Sequence, residues 1–311
     1  MDGRFSPPLP AADTFPDMNT RRDFLLALGS GAMLPAITRA ARASDGRNHE
    51  SPARPPDRVP NPLRAVGIQL YMLRASMRAD PEATIARIAS LGYGQIEWWG
   101  NWDRTPVQVR TMLDANGLVA PSAHIGPRDL EPDRLPALLD TAAAVGHKTV
   151  LIAWTPPEQR RTADDWKRLG ALLSRAGTEA AKVGIRTGYH NHDFEFVRLG
   201  DRSALEIMLA ESDARVVDLE LDCYWAFKAG QDPHALLTRY ADRITMLHLK
   251  DASRTPSHEQ VDLGTGVIPW QPLLATAARQ RVTSVYVEMD DPTDAWASAR
   301  AGREYLRTIG L

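Results

Sequence analysis

Cysteine is nearly absent from this chain of 311 residues, and its scarcity excludes one kind of stabilisation. Cys223 is the only cysteine, so no intramolecular disulfide can form in any compartment. An excess of charge of one sign is lacking too, because 37 basic and 39 acidic residues leave a formal net charge of -2. A chain without a basic excess lacks the field that binding to a phosphate backbone requires. We therefore expect no nucleic-acid partner.

The chain also lacks a hydrophobic run long enough to span a bilayer. The apolar run at residues 24–37 is about 14 residues long and is interrupted by two glycines and a proline, whereas a permanent membrane helix needs roughly twenty residues. We therefore expect no stable membrane anchor. Arg21 and Arg22 stand just before this run and resemble a twin-arginine export signal. The signal predicts a periplasmic protein and the twin-arginine export machinery as a partner; the alternative is a disordered polar tail with a chance arginine pair.

The predicted signal sets the expected domain boundaries. A small-x-small cleavage site just before Ser44 predicts a signal peptide over residues 1–43, and Met18 is an alternative start just ahead of the arginine pair. Residues 44–62 are rich in Pro, Arg, Asp and Asn and are typical of a linker. The rest of the chain, residues 63–311, is expected to fold as one domain.

Within residues 63–311, short apolar runs alternate with longer amphipathic stretches, which is the pattern of βα units around a parallel sheet. Eight such units in about 250 residues predict a (β/α)₈ TIM barrel. A doubly wound open sheet is the alternative, but the segment after the first strand, residues 72–76, has no glycine for a phosphate-binding loop. The predicted strands are residues 65–71, 95–98, 119–124, 149–154, 185–190, 216–222, 244–248 and 282–288.

Four residues of metal-ligand type end the last four predicted strands: His190, Asp222, His248 and Glu288. The carboxyl ends of the strands meet at one face of a barrel, where ligands bind. Imidazole and carboxylate groups are common ligands of divalent ions. The spacing therefore predicts one divalent metal ion at the mouth of the barrel.

The sequence from residue 63 onward resembles the sugar phosphate isomerase/epimerase family, the xylose isomerase-like barrels. The motifs that carry the resemblance are VGIQLY at 66–71, GYGQIE at 92–97, GYHNHDFE at 188–195, LDCYW at 221–225, HLKD at 248–251 and VE at 287–288. The resemblance implies that Mn²⁺, Mg²⁺, Co²⁺ or Zn²⁺ is held from strands five to eight. His190 stands where many relatives have Glu, and Trp225 where many have His. These departures fit an exported branch that acts on oxidised sugars or glycosides.

A metal ion among these residues would suit the removal of a proton next to a carbonyl. Two carboxylates and two neutral imidazoles form a formally neutral shell around a divalent ion, which suits a metal-stabilised enediolate. We expect His192 to be the base, with Glu195 and Glu288 as rival bases, and Lys250 to donate to the developing oxyanion. The predicted function is an enzyme of the metal-dependent isomerase/epimerase type.

The substrate is expected to be a small-molecule carbohydrate, specifically a free or oxidised (keto) sugar or a glycoside, because phosphorylated sugars are scarce outside the cytoplasm. Glu97 and His124 end strands two and three and could bind sugar hydroxyls or simply pack inside the barrel; Trp154 and Trp225 could form aromatic walls. A keto-glycoside lyase or hydratase on the same site and a non-catalytic sugar-binding barrel are the alternatives. Endonuclease-like cleavage is disfavoured because the chain lacks a basic groove and further ligands. The sequence is compatible with a homo-oligomer.

Overall fold

A computed structural model describes residues 63, 65–100 and 102–311. The predicted signal peptide, residues 1–43, and the predicted linker, residues 44–62, lie outside these residues. None of the helices in the described part of the chain is both long and apolar enough to span a bilayer.

Eight parallel strands close into one barrel, in which each strand pairs with its neighbours in the chain and the last pairs with the first. The (β/α)₈ prediction is confirmed, because a doubly wound sheet would have two open edges. The strands are β1 Val66–Gln69, β2 Gln95–Trp99, β3 Val119–Ile125, β4 Thr149–Ile152, β5 Arg186–His190, β6 Val217–Asp222, β7 Ile244–Leu249 and β8 Ser284–Val287.

A helix or a pair of helices follows almost every strand, and most of the helices begin after a residue whose side chain caps them. Asp80 accepts a hydrogen bond from the backbone N–H of Ala83 (2.9 Å) and precedes Pro81, the first residue of α2. Gly146 ends α4 at a φ of 98°, a backbone conformation that favours glycine. The helices are α1 Arg74–Ala79, α2 Pro81–Ser90, α3 Pro106–Ala115, α4 Leu135–Val145, α5 Ala163–Ala181, α6 Ala204–Glu211, α7 Cys223–Lys228, α8 Pro233–Arg239, α9 Trp270–Ala277 and α10 Ala295–Thr308.

Short elements fill the loops at the ends of the strands. Two small antiparallel hairpins pair Arg198–Leu199 with Arg202–Ser203 and Asp251–Ala252 with Gln260–Val261. The 3-10 turns are Leu70–Leu73, Pro127–Leu130, Pro157–Gln159 and Phe194–Phe196.

Five of the eight predicted strands, β1, β4, β5, β6 and β8, are shorter in the structure, and Glu288 follows the end of β8 directly. Tyr71 lies in a 3-10 turn rather than in β1, because the side chain of Gln69 accepts a hydrogen bond from its backbone N–H (3.0 Å) and ends the strand. Trp154 lies two residues beyond the end of β4. Strand alternation therefore does not determine where these two side chains point.

The interior of the barrel has an apolar floor beneath a polar layer. Leu151, Met246 and Tyr286 are fully or nearly fully buried and form a small cluster apart from the main core between barrel and helices. Gly67 lies against this cluster, and a Cβ at its position would overlap the ring of Tyr286. Met246 and Tyr286 each stand two residues before a predicted metal ligand, so the floor lies directly below those ligands.

Candidate metal centre

The structure brings the four predicted ligands together at the carboxyl ends of β5 to β8. One ligand atom each of Asp222, His248 and Glu288 lies within 4.8 Å of the others. His190 Nε2 and His248 Nδ1 each lie 3.9 Å from Asp222 Oδ2. All four side chains are buried. We refer to His190, Asp222, His248 and Glu288 as the upper group.

Below them lies a second group that also uses His190 and His248. His124, His190, Glu220 and His248 place one ligand atom each within 4.8 Å of one another, and all four are buried. Glu220 was not among the site residues predicted from the sequence. The two-residue period of a strand could have indicated it, because this period puts residue 220 on the same face as Asp222.

The imidazoles of His190 and His248 each have one nitrogen that faces the upper group and one that faces a carboxylate below it. His190 Nδ1 lies 3.0 Å from Glu220 Oε2, which leaves Nε2 on the side of Asp222. His248 Nε2 lies 2.6 Å from Glu97 Oε2, and its Nδ1 lies 2.7 Å from Glu288 Oε2. Carboxylates that accept from the far nitrogen of a histidine ligand fix its orientation and tautomer.

The structure places Glu97 and His124 beneath the upper group, where they hold other side chains. Glu97 Oε2 accepts from Gln69 (2.7 Å) and lies 2.9 Å from His124 Nε2, while Glu97 Oε1 accepts from Ser122 (2.6 Å). With both oxygens engaged and no exposed surface, Glu97 supports the predicted ligands from below. Of the two roles predicted for this residue, the geometry favours interior packing over binding of sugar hydroxyls.

Burial and charge set the protonation of the two shared rings. Burial and the neighbouring imidazoles hold the pKa of His190 well below its ordinary value, so this ring is neutral and can act as a ligand. Burial alone would lower the pKa of His248, but Glu220, Glu288 and Glu97 raise it well above the ordinary value. A proton on His248 Nδ1 then bridges to Glu288, and an ion binding there would displace it.

Lys250 places a charged group beside the upper group. Its Nζ lies 2.9 Å from Asp222 Oδ2, 2.7 Å from Glu288 Oε2 and 2.8 Å from Asp290 Oδ1, and the side chain is buried. These carboxylates raise the pKa of Lys250 well above its ordinary value although burial opposes them. Lys250 is therefore a permanent cation that can donate hydrogen bonds.

Two buried carboxylate oxygens of the described residues receive no hydrogen bond: Glu220 Oε1 and Asp222 Oδ2, although Lys250 lies close to the latter. Buried oxygens without a donor are costly unless a cation compensates them. Asp222 Oδ2, Glu288 Oε2, His190 Nε2 and His248 Nδ1 form a mixed nitrogen and oxygen donor set, which suits Zn²⁺, Co²⁺ or Mn²⁺. The residues present therefore fit a divalent ion in the upper group.

His192 lies beside the upper group, just beyond β5. Its ring centroid is 5.0 Å from that of His190 and 5.4 Å from that of Trp225, and it stacks on Phe194. Its Nδ1 is buried and has no hydrogen-bond partner in the described part of the chain. Burial and the charge of Lys250 hold the pKa of His192 well below its ordinary value, so the ring is neutral. A neutral imidazole with a free nitrogen can accept a proton.

Glu195 lies outside both groups, which corrects its prediction as a rival base. Its Oε1 accepts from the Tyr189 hydroxyl (2.7 Å) and its Oε2 from the backbone N–H of His192 (2.8 Å). Tyr189 packs against Trp166 of α5, so this carboxyl faces the layer between barrel and helices. The physical reason is that the chain leaves β5 at His190 and turns outward. Glu195 holds the segment that carries His192.

The two tryptophans predicted to form aromatic walls, Trp154 and Trp225, lie in different parts of the barrel mouth. Trp225 lies next to His192, with Lys250 Nζ 5.9 Å from its ring, and its indole Nε1 is buried without a hydrogen-bond partner among the described residues. It therefore borders the predicted ligands and has a donor to offer. Trp154 instead lies 5.6 Å from the guanidinium of Arg160, and none of its described contacts reaches the upper group.

Residues 85–309 match the family described as xylose isomerase-like TIM barrels. The chain belongs to this family. An inosose dehydratase from Geobacillus kaustophilus (strain HTA426) is 28% identical over 212 residues, which are 60% of this chain and 68% of that enzyme. Inosose dehydratases of Lacticaseibacillus casei align over only about a third of their own length.

Solved structures of other proteins have the same fold. A sugar phosphate isomerase/epimerase from Parabacteroides distasonis ATCC 8503 superposes with a TM-score of 0.67 at 24% identity, over 80% of this chain and 97% of that one. The IOLI protein, solved with a zinc atom bound, superposes with a TM-score of 0.61 at 13% identity, over 79% and 97%. The similarity to an inosose dehydratase, 68% of which this chain covers, confirms the prediction of an enzyme.

Proposed function

We propose that this chain is a divalent-metal-dependent enzyme that removes a proton next to the carbonyl of a free keto sugar, keto-glycoside or related keto-cyclitol and then eliminates water. The observation that carries the proposal is His192 Nδ1, which is buried without a hydrogen-bond partner among the described residues, on a ring 5.0 Å from that of His190 and beside the group of Asp222, His248 and Glu288. The sequence predicted isomerisation or epimerisation, with elimination as the alternative. The similarity to inosose dehydratases favours elimination.

His190, Asp222, His248 and Glu288 would hold the ion. When bound, a divalent ion polarises the carbonyl and its neighbouring hydroxyl and so makes the intervening C–H more acidic. Two imidazole nitrogens among the four donors favour Zn²⁺, Co²⁺ or Mn²⁺ over Mg²⁺, and elemental analysis identifies the ion.

His192 would take the proton at Nδ1. In the elimination, that proton then passes to the hydroxyl on the next carbon, which leaves as water, so that one side chain accepts and returns the same proton. In an isomerisation the proton would return to carbon instead. Lys250 stays charged and would donate a hydrogen bond to the oxygen that gains negative charge. Trp225 would pack against the ring of the substrate and offer its free indole N–H.

We further propose that residues 1–43 are a twin-arginine export signal, that residues 44–62 are a linker and that the mature enzyme works in the periplasm. The arginine pair just ahead of a short apolar run supports this proposal. A periplasmic location would favour a free sugar or glycoside over a phosphorylated sugar.

The test compares the purified wild type with Asp222→Ala and His192→Gln. Elemental analysis should find about one divalent ion per chain in the wild type and in His192→Gln, and none in Asp222→Ala. Inosose, keto-glucosides and free hexoses are then incubated with each protein in deuterated water. We expect a product lighter by one water from the wild type and a turnover lower by about 10²- to 10⁴-fold in His192→Gln.

The other outcomes separate the alternatives. Deuterium incorporation without loss of water would identify an isomerase or epimerase on the same site. Full activity of Asp222→Ala would contradict the site itself. A wild type that binds no ion, even after incubation with Mn²⁺, Co²⁺ and Zn²⁺, would favour a non-catalytic sugar-binding barrel.

A further inference from the structure

One oxygen atom lies at the centre of three imidazole rings beneath the upper group. Glu220 Oε2 is 2.8 Å from His124 Nε2, 3.0 Å from His190 Nδ1 and 3.1 Å from His248 Nε2. The rings come from β3, β5 and β7, and Glu220 has no exposed surface. A carboxylate only accepts hydrogen bonds, so it selects the protonated nitrogen of each ring that faces it.

The choice of nitrogen below determines which nitrogen is free above. A neutral imidazole has one N–H and one lone pair. With its proton on Nδ1 toward Glu220, His190 presents the lone pair of Nε2 to Asp222, 3.9 Å away. When an ion displaces the proton on its Nδ1, His248 keeps the proton on Nε2, which faces Glu97 (2.6 Å) and Glu220 (3.1 Å), and presents the lone pair of Nδ1 toward Asp222 and Glu288. The opposite tautomers would turn N–H groups toward an ion and exclude it.

The lower group itself does not suit a second ion while the upper group holds one. His248 has ligand atoms in both groups, and His190 faces Glu220 with Nδ1 and Asp222 with Nε2, so each ring would have to coordinate through both nitrogens at once. A ring that does so must lose both protons, which is far less favourable than donating one hydrogen bond to a carboxylate. The lower group is therefore a layer of hydrogen-bond acceptors and donors under one ion.

We propose that Glu220 is a positioning residue, which fixes the tautomer of His190 and, together with Glu97, that of His248, so that both present lone pairs to one ion in the upper group. This inference rests on the proposed function, because it presumes that the upper group binds an ion. The unpartnered second oxygen, Glu220 Oε1, fits a residue kept for the site rather than for stability, since a buried polar atom without a partner is costly.

The test measures Co²⁺ binding to the wild type, Glu220→Leu and Glu220→Gln by titration, with the visible absorption of the bound Co²⁺ as a second readout. Leu removes the acceptor and should weaken Co²⁺ binding by about 10- to 100-fold. Gln keeps a neutral acceptor, so Glu220→Gln should lose less Co²⁺ affinity, and this variant provides the test if Glu220→Leu does not fold. Asp218→Asn is the matched control: Asp218 is buried on the same strand but pairs with Arg186 (2.6 Å) and contacts no imidazole of the described residues, so the Co²⁺ affinity of this variant should not change.

¹⁵N-histidine NMR of the metal-free proteins identifies the histidine tautomers. If Glu220 had only a structural role, its replacement would leave these tautomers unchanged. We expect His190 to be protonated at Nδ1 in the wild type and to become a mixture of tautomers in Glu220→Leu. Wild-type tautomers together with wild-type Co²⁺ affinity in Glu220→Leu would overturn this inference and leave the proposed function intact. A wild type that binds no Co²⁺ would overturn both.

Discussion

Replacing Lys250 with Met removes the ammonium group that lies among three carboxylates while nearly preserving the volume of the side chain. Asp222, Glu288 and Asp290 each lie within 2.9 Å of Nζ, and the first two are buried. Breaking a buried ion pair by removing one partner costs about 3–5 kcal/mol, because the remaining charge is left uncompensated. In a barrel of this size, each kcal/mol lowers Tm by about 2–4 °C. We therefore expect the Tm of metal-free Lys250→Met to fall by roughly 6–20 °C.

A bound ion should restore much of this loss. The ion and the ammonium group share Asp222 and Glu288, so either one compensates the carboxylates. Saturating Co²⁺ at about a thousandfold excess over its Kd stabilises a folded protein by about 4 kcal/mol. The gain should be larger in Lys250→Met than in the wild type, because the variant begins with uncompensated charge.

Thermal unfolding at pH 8, with and without Co²⁺, measures both effects. The pH matters because burial raises the pKa of Asp222 to about 6, opposed by Lys250 and His248, and at lower pH the carboxyl could take up a proton instead. Lys228→Met is the control, since it removes the same charge from an exposed side chain and should change stability by no more than about 0.5 kcal/mol. Equal Tm increases on adding Co²⁺ in wild type and Lys250→Met would refute the shared-carboxylate argument.

Two further predictions concern Glu195 and the export signal. Burial raises the pKa of Glu195 to about 8, so the folded state keeps a proton that the unfolded state releases near pH 4.5, and stability from this group is lost as pH rises between these values. In urea unfolding, the stability of Glu195→Gln relative to the wild type should therefore increase from pH 5 to pH 8, whereas that of the exposed control Glu211→Gln should not. Parallel plots of unfolding free energy against pH for Glu195→Gln and the wild type would contradict this. Replacing Arg21 and Arg22 with Lys should keep the full chain in the cytoplasm in cell fractionation, and continued export would argue against the twin-arginine route.

The barrel and the four residues of the upper group could be predicted because both depend on local patterns. Short apolar runs in a regular order define strands, and the last residue of a parallel strand lies at a known face whatever the details of packing. Asp222 ends β6, His248 is the last residue but one of β7, and Glu288 directly follows β8. Glu220 could have been predicted by the same alternation, but its role depends on three rings from other strands, and no sequence pattern links them.

Residues beyond the ends of strands could not be placed by this reasoning. Glu195 and Trp154 follow β5 and β4 by five and two residues, within a 3-10 turn and just ahead of another. A turn re-aims each side chain according to the backbone dihedrals and the hydrogen bonds that it makes. For Glu195 these are the bonds to Tyr189 and His192, which connect positions six and three residues away and turn the carboxyl from the mouth toward α5.

The apolar floor of Leu151, Met246 and Tyr286 has a kinetic consequence. Because these side chains fill the barrel beneath the ligands, an ion held by the upper group has to enter and leave from the same side as the substrate. Binding would then be ordered, with the ion first, and a bound substrate would block release of the ion. A chelator should accordingly strip the resting enzyme faster than the enzyme during turnover, and slow exchange of the ion would reflect occupancy of the mouth rather than affinity alone.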